Sequence, residues 1–367
     1  MAVAGGRGGQ KGLIPMNDAK IPPLLAVRAE AGAAIGTGHV MRMLALAQAW
    51  QDAGGQVVFF FGKANEPLQL RLEAEHCRTE VLGEQTGSPA DAAAVVFRLA
   101  LLKPDWLAVD GYAFDRRYFE KLAAASVPIL AMADYPVGRN LPVTVLLNQN
   151  AQARAEDYIG MAPGARLLLG LNYVLLRREF QPWQSRRPVR SGRTRHLLVT
   201  LGGSDPDNVT SRVVQALAPV ADAVEGITVV VGANNPWRSE IAAAVAAAGA
   251  KVALQDSVAN MTLLLSECDL AVCAGGSTCW EMAYMGVPVL AIVLAENQAP
   301  LAAEVERLGC GLNLGWWRQQ AGEKLAQAIR QLGGEAGRVA AMARRGRELV
   351  DGRGAARVVE CLRGARV

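Results

Sequence analysis

The chain has 367 residues, more than one hydrophobic core usually supports, so we predict two domains. Hydrophobic residues make up 51% and charged residues 20%, as is typical of soluble globular proteins. The longest apolar run, residues 287–295, has the length of a strand, whereas a membrane span needs about 18 apolar residues. We therefore expect no integral membrane association. The net charge of +4 is too small to indicate a nucleic-acid partner.

Residues 1–23 are rich in glycine, proline and charge and lack the apolar core of a signal peptide, which predicts a disordered leader. An arginine-rich segment, residues 181–195, divides the chain near its middle. Without interleaved aromatic residues or a recognition motif, it is more typical of a solvated linker than of a nucleic-acid site. Six scattered cysteines form no CxxC pair, so we expect reduced thiols in a cytoplasmic protein and no bound metal.

Both halves alternate apolar strands with helical patterns, which predicts parallel sheets covered on both faces. The fold class is therefore α/β, with two doubly wound, Rossmann-like domains at 24–180 and 196–367 that face a central cleft. Ligands of such sheets bind at the carboxyl ends of the strands. The predicted strands are 24–28, 57–61, 106–109 and 128–132 in the first half, and 196–201, 227–231, 251–254, 270–273 and 287–293 in the second.

Two glycine loops in the second half join a predicted strand to a predicted helix. Gly202, Gly203 and Ser204 form the first, and the second runs from Gly275 and Gly276 through Ser277 and Thr278. Glycines let the backbone approach a ligand, and a helix start favours phosphate, although ordinary tight turns use the same residues.

A glutamate, Glu281, lies one turn into the helix that follows the second loop. It is placed to accept hydrogen bonds from the hydroxyls of a ribose, or simply to complement the helix dipole. After the next strand, Asn297 and Gln298 carry amides that can contact a sugar, or form a polar loop.

In the first half, GTGHVMR carries Gly36, Gly38, His39 and Arg42 at the start of a predicted helix. His39 is either a catalytic base or an ordinary residue beside a turn. Asp110 and Tyr112 follow a strand, where they either line the cleft or cap the next helix.

Four segments in the same order, GTGHVMRMLALA, LLLGLNYVLLRREF, LLVTLGGSDPDNVT and AGGSTCWEMAYMGVPVLAIVLAENQ, resemble one family. It comprises the UDP-2,4-diacetamido-2,4,6-trideoxy-β-L-altropyranose hydrolases of pseudaminic acid biosynthesis. The wider group includes spore-coat polysaccharide proteins and, more remotely, the glycosyltransferase of peptidoglycan lipid II synthesis. The resemblance implies a glycosyltransferase-B fold in which the C-terminal domain holds UDP.

The resemblance also implies roles for single residues. His39 matches the proposed catalytic base, Tyr112 and Asn297 match residues near the sugar, and Glu281 matches the ribose-binding glutamate. Gly275, Gly276 and Ser277 match the diphosphate loop.

Three positions depart from the family pattern. Gly111 stands where the family has histidine, Glu30 where aspartate is common, and Ala133 replaces the first aspartate of a pair that ends with Asp134. These differences leave the identity of the sugar open.

From these features we expect a monomeric, cofactor-free hydrolase of a UDP-linked 2,4-diacetamido-2,4,6-trideoxy sugar. His39 would activate water and the glycine loop would stabilise the departing diphosphate, without a metal and with inversion at the anomeric carbon. Two alternatives stay open. One is a UDP-sugar-dependent glycosyltransferase of surface polysaccharide synthesis, and the other is a sugar-nucleotide-binding protein without turnover.

Overall fold

In a computed structural model of the protein, the described residues are 22–32, 36–136, 138–202, 205, 207–232, 235–256, 258, 260–319 and 321–365. Residues 1–21 of the predicted leader lie outside them, as do Gly203 and Ser204 of the first predicted glycine loop.

The first half forms a parallel sheet of seven strands. Its central strands are almost wholly apolar because helices cover both faces. The strands are Leu24–Ala29 (β1), Gln56–Phe61 (β2), Arg78–Val81 (β3), Trp106–Asp110 (β4), Ile129–Met132 (β5), Val145–Asn148 (β6) and Arg166–Leu169 (β7). Their order in the sheet is β3-β2-β1-β4-β5-β6-β7.

The second half repeats this arrangement with six parallel strands. They are His196–Thr200 (β8), Gly226–Val231 (β9), Val252–Asp256 (β10), Leu270–Ala274 (β11), Val289–Val293 (β12) and Gly311–Trp316 (β13). The order is β10-β9-β8-β11-β12-β13. The predicted class of two doubly wound α/β sheets is confirmed.

Helices connect the strands and cover the sheets. They are Gly38–Asp52 (α1), Glu66–Glu73 (α2), Pro89–Leu102 (α3), Arg116–Ala123 (α4), Ala155–Ile159 (α5), Val209–Leu217 (α6), Arg238–Ala248 (α7), Met261–Glu267 (α8), Thr278–Met285 (α9), Ala299–Arg307 (α10), Ala321–Gly334 (α11), Ala336–Leu349 (α12) and Gly354–Gly364 (α13). Short 3-10 turns occur at Leu171–Tyr173, Arg178–Trp183, Ala218–Ala223 and Glu296–Gln298.

Each sheet has a switch point, where the strand order reverses and the loops on either side diverge. In the first sheet it lies between β1 and β4, which are followed by the loop before α1 and by Gly111. In the second sheet it lies between β8 and β11, which are followed by the two predicted glycine loops. The topology therefore places the candidate residues of both halves where ligands of such sheets bind.

Four strands were not predicted from the sequence: β3, β6, β7 and β13. β3 is an edge strand with the polar sequence RTEV, and β13 contains two glycines. β6 and β7 are only four residues long and run into polar loops. Their pairing with neighbouring strands, rather than a local pattern, makes them strands.

The arginine-rich segment is not uniformly solvated, contrary to our expectation. Arg187 donates to the backbone carbonyls of Tyr284, Arg347 and Val350, and Arg190 donates to the carbonyls of Leu265 and Ser266. These carbonyls lie at or near the ends of α8, α9 and α12, where guanidinium groups are favourable partners. The segment is therefore fastened to the second half.

The last helix returns to the first half. The buried face of α13 joins the apolar core around α1, and the indole of Trp106 in β4 donates to the Leu362 carbonyl at 3.1 Å. The backbone crosses between the halves twice, and the crossings touch. A Cβ atom on Gly354 would lie only 2.1 Å from the Val174 carbonyl oxygen, so this close approach requires glycine.

None of the described helices is both long and apolar enough to cross a membrane.

Replacement of Leu362 by alanine tests the packing of α13 on the first half. Leu362 is fully buried in that core, so we expect the variant to lose about 2–5 kcal/mol of unfolding free energy, measured by denaturant titration. Glu360→Ala, at an exposed position of the same helix, serves as the control and should change stability by less than about 0.5 kcal/mol. Equal effects of the two substitutions would contradict the assignment.

Candidate functional site

His39 lies in the first turn of α1 at the switch point of the first sheet. The loop before it is closed by backbone hydrogen bonds between Gly32 and Gly36, which form an isolated bridge. The His39 side chain is 6% exposed and meets the Tyr112 ring edge-to-face, with ring centroids 4.7 Å apart. Its Nδ1 atom is buried and has no hydrogen-bond partner among the described residues. A buried imidazole with a free nitrogen can exchange a proton with a bound molecule.

Arg42, one turn further along α1, holds the ends of two strands together. Its guanidinium makes paired hydrogen bonds to Asp110 at the end of β4 (2.6 Å each) and to Asp134 just after β5 (2.7 and 3.0 Å). Arg42 and Asp110 are almost completely buried. Two-pronged contacts of this kind fix the arginine and both carboxylates in one geometry. Asp110 and Arg42 were predicted as site residues, and the structure places them beneath the site, paired with each other.

Asp134 connects this ion cluster to the cleft. Besides Arg42, its carboxylate accepts hydrogen bonds from the Tyr112 hydroxyl at 2.9 Å and from the Asn150 amide at 3.1 Å. Burial acts to raise the pKa of Asp134, but the charge of Arg42 and the hydrogen bonds from Arg42 and Tyr112 together outweigh it, so the pKa lies below its usual value. Asp134 therefore stays ionised and fixes the groups around it.

Tyr112 and Asn297 meet across the two halves. The Asn297 amide donates to the Tyr112 hydroxyl at 3.0 Å, and the Tyr112 ring stacks on Tyr135 at 5.6 Å. Tyr112 is 44% exposed, so its ring offers an accessible aromatic surface beside His39. Burial of the hydroxyl and the nearby Asp134 charge raise the pKa of Tyr112, which keeps the phenol protonated.

Glu30 and Gly111, two of the positions that depart from the family pattern, lie against each other. The Glu30 carboxylate accepts hydrogen bonds from the backbone amides of Tyr112 (2.8 Å) and Ala113 (3.2 Å). A Cβ atom on Gly111 would lie 2.6 Å from the Glu30 Cβ, which is closer than real Cβ contacts. The space for a side chain at position 111 is therefore taken by Glu30, which supports the loop that carries Tyr112.

In the second half, the loop at Gly275 packs tightly against the turn at Gln298. A Cβ atom on Gly275 would lie 2.7 Å from the Gln298 carbonyl oxygen, so only glycine fits. The Gln298 amide oxygen accepts from the Leu294 backbone, which ties this turn to the end of β12. Ser277 and Thr278 start α9. The loop, the helix start and Asn297 are thus neighbours.

Gly202 lies beside this loop. Thr200 of β8 pairs with Cys273 of β11. Gly202 and Gly275 each lie two residues beyond this pair, just after the ends of two adjacent strands.

A second hydrogen bond joins the halves below the cleft. The Trp280 indole in α9 is fully buried and donates to the Asn150 side chain at 3.2 Å. Asn150 in turn donates to Asp134. Neither Asn150 nor Trp280 was predicted as a site residue, because Asn150 follows the unpredicted strand β6 and Trp280 has the sequence character of a core residue.

Glu281 is paired with an arginine from the segment that leads out of β7. Its Oε1 atom accepts from Arg177 Nη1 at 2.8 Å, and both side chains are only about an eighth exposed, at 13% and 12%. Burial, together with the charge of Glu179, raises the pKa of Glu281 above its usual value, while Arg177 lowers it. Arg177 was not predicted from the sequence as a partner of Glu281, although it lies in one of the four family-like segments.

Within the described ranges, no group of three or more His, Cys, Asp or Glu side chains is arranged to hold a metal ion. All six cysteines are buried and free.

Comparisons of the sequence with known proteins found one family model and two relatives to report. Residues 196–353 match the family model of the glycosyltransferase family 28 C-terminal domain. The spore coat polysaccharide biosynthesis protein SpsG of Bacillus subtilis is 22% identical over 339 residues, which cover 92% of this chain and 97% of that protein. An uncharacterized protein of Methanocaldococcus jannaschii is 22% identical over 280 residues, covering 75% of this chain and only 56% of its own length.

Solved structures show the same architecture. MurG of Acinetobacter baumannii superimposes with a TM-score of 0.62 at 18% identity, over 94% of this chain and 100% of that one. HepE of Anabaena, solved in complex with UDP-glucose, gives 0.59 at 15% identity, over 93% and 99%. The fold is of the glycosyltransferase-B type. At these identities the structural likeness establishes the fold alone.

Replacement of Asp134 by asparagine tests the ion cluster. Because the pKa of Asp134 is lowered in the folded protein, its contribution to stability is present above the unfolded pKa of about 4 and is lost as the pH falls through the folded pKa. We expect Asp134→Asn to lower the unfolding free energy by about 1–3 kcal/mol at pH 7. The variant should also lose less stability than the wild type between pH 5 and acid conditions, measured by denaturant titration.

Asp207→Asn is the control for this experiment, because Asp207 forms an ion pair with Arg318 at an exposed position. This variant should follow the wild-type pH profile. An Asp134→Asn profile parallel to that of the wild type would mean that Asp134 does not carry the acid sensitivity.

Proposed function

We propose that the protein binds a UDP-sugar in the cleft and cleaves its anomeric C–O bond, with His39 as the general base. The observation that carries this proposal is the group formed by His39, Tyr112 and Asn297, in which the buried imidazole lies against a tyrosine that is bonded to the opposite half. Asn297 lies in the short turn after β12, and β12 pairs with β11, the strand that leads into the Gly275 loop. In this proposal, the general base His39 and the phosphate-binding loop at Gly275 therefore face the same part of the cleft.

The chemistry needs few groups. An acceptor hydroxyl would lose its proton to His39 while its oxygen attacks the anomeric carbon. The bond from that carbon to the β-phosphate oxygen breaks, and its electron pair leaves with UDP. The diphosphate is a weakly basic leaving group, so no second acid is needed, and attack from the opposite side inverts the configuration. Backbone amides at the start of α9, next to Gly275, would stabilise the charge on the diphosphate.

The nucleotide is assigned to the second half. The Gly275–Ser277 loop precedes α9, and Glu281 lies one turn into that helix, where a carboxylate suits a ribose. The similarity of fold to HepE, which was solved with UDP-glucose, supports UDP as the carrier. No bound metal is part of this proposal, and the assay below tests this with EDTA.

The first candidate acceptor is a sugar hydroxyl, which would make the protein a glycosyltransferase of surface polysaccharide synthesis. Two observations favour it. Residues 196–353 match the C-terminal domain of a glycosyltransferase family, and the full-length similarity to SpsG connects the chain to a protein named for spore coat polysaccharide biosynthesis.

The second candidate acceptor is water, which would make the protein a hydrolase of a UDP-linked 2,4-diacetamido-2,4,6-trideoxy sugar in pseudaminic acid synthesis. The burial of His39 favours it, because an imidazole that is 6% exposed is reached more easily by water than by a bulky acceptor. The motif resemblance also favours it. The Glu30 and Gly111 departures alter the wall of the proposed sugar site, so several UDP-sugars have to be compared.

An assay of UDP release separates these candidates. Purified protein would be incubated with UDP-sugars in the presence of EDTA, with and without polysaccharide acceptors. Release of UDP and free sugar without acceptor identifies the hydrolase, whereas release that depends on acceptor identifies the transferase. If the protein binds UDP-sugars but releases no UDP under either condition, catalysis is contradicted. The protein would then be a sugar-nucleotide-binding protein without turnover.

Replacement of His39 by alanine should lower turnover by about 100-fold or more, because the general base is lost. The dissociation constant for UDP should stay close to that of the wild type, since the nucleotide is assigned to the other half. His76→Ala, at an exposed position after α2, is the matched control and should leave turnover unchanged. Unchanged turnover of the His39 variant would remove His39 from the mechanism.

A further inference from the structure

Arg177 has no role in the function proposed above, although its surroundings are unusually well defined. It lies at the first crossing between the halves, immediately before the 3-10 turn Arg178–Trp183. Its guanidinium is 12% exposed and makes the 2.8 Å bond to Glu281 in α9. An arginine from the end of the first half thus reaches the carboxylate assigned to the ribose.

The guanidinium is itself fixed in place. Its Nε and Nη2 atoms both donate to Oε1 of Glu179, at 3.0 and 2.7 Å, and its Cζ atom lies 5.5 Å from the centre of the Phe180 ring. Contacts on one edge and one face leave Nη1 directed at Glu281. The arginine is therefore a rigid donor whose orientation is set before any ligand binds.

Glu281 depends on this donor. The carboxylate is largely buried, and burial together with the neighbouring Glu179 raises its pKa, whereas the charge of Arg177 acts to lower it. The bond to Arg177 occupies only Oε1. Among the described residues, no hydrogen bond reaches Oε2, so this oxygen is available to a ligand hydroxyl.

We propose that Arg177 is a positioning residue of the nucleotide site, which holds the Glu281 carboxylate through Oε1 so that Oε2 accepts a hydrogen bond from the ribose 2′-hydroxyl of UDP. This inference rests on the proposed function, because it assumes a uridine nucleotide beside α9. It assigns discrimination between ribose and deoxyribose to an ion pair between the two halves, with Arg177 acting only through Glu281.

The test is the ratio of two dissociation constants, for 2′-deoxy-UDP and for UDP, measured by calorimetry on the full-length protein. A hydrogen bond from the 2′-hydroxyl to a charged acceptor should make the wild type prefer UDP by about tenfold or more. In Arg177→Met, UDP affinity should fall to nearly that of the deoxy compound, so that the ratio approaches one. Affinity for 2′-deoxy-UDP should change little.

Three further variants sharpen this experiment. Arg178→Met removes the adjacent arginine, whose guanidinium instead donates to the Gln48 carbonyl and the Asp52 carboxylate, and should keep the wild-type ratio. Glu281→Gln should lose the preference as Arg177→Met does, and the double variant should lose no more than either alone. Arg177→Lys keeps the charge and should restore part of the preference. Such recovery would show that the loss in Arg177→Met comes from the missing charge and not from misfolding.

The outcomes are distinguishable. A full preference for UDP in Arg177→Met would overturn the inference, and so would an equal loss of affinity for both nucleotides, which is the result expected of a merely structural arginine. A wild type that binds both nucleotides equally would overturn the inference while leaving the proposed function intact. A wild type that binds neither UDP nor a UDP-sugar would overturn the proposed function as well.

Discussion

The guanidinium of Arg42 is the interaction on which the rest of the site depends. It forms ion pairs with the carboxylates at the ends of two neighbouring strands, and buried charges are costly unless they are paired and hydrogen-bonded in this way. Asp134, held in place by Arg42, also serves as the common acceptor for Tyr112 and Asn150. Through these two residues the cluster sets the wall beside His39 and makes contact with the opposite half. A single arginine in the first helix therefore organises a surface that spans both sheets.

The two halves are joined at the site by contacts of different character. On one side the contacts are neutral hydrogen bonds, from Asn297 to Tyr112 and from Trp280 to Asn150. On the other side the contact is a largely buried ion pair between Arg177 and Glu281. Neutral bonds are exchanged readily for bonds to ligand hydroxyls and amides, whereas a buried ion pair resists separation because each partner would be left desolvated. The proposed sugar end of the cleft is thus better suited to remodelling by a ligand than the proposed nucleotide end.

Much of the fold followed from the sequence because its signals are local. Apolar runs separated by helical patterns predicted the doubly wound halves, and glycines after strands predicted the loops at both switch points. The partners of the charged residues were not predictable, since Arg42 and Asp134 are 92 residues apart and Arg177 and Glu281 are 104 apart. No local pattern encodes such pairs. Likewise β3 and β13 become strands only through their neighbours, and the importance of Asn150 depends on β6, which was not predicted from the sequence.

The return of α13 to the first half bears on how the cleft can open. Because the two backbone crossings touch at Val174 and Gly354, they form one narrow connection, and we expect the halves to rotate about it rather than slide apart. Both β1 and α13, which lead to the two ends of the described chain, belong to the same half. The second half is therefore an insertion of about 180 residues within the first half. A partner attached next to β1 or α13 would be fixed to the first half and would leave the second half free to move.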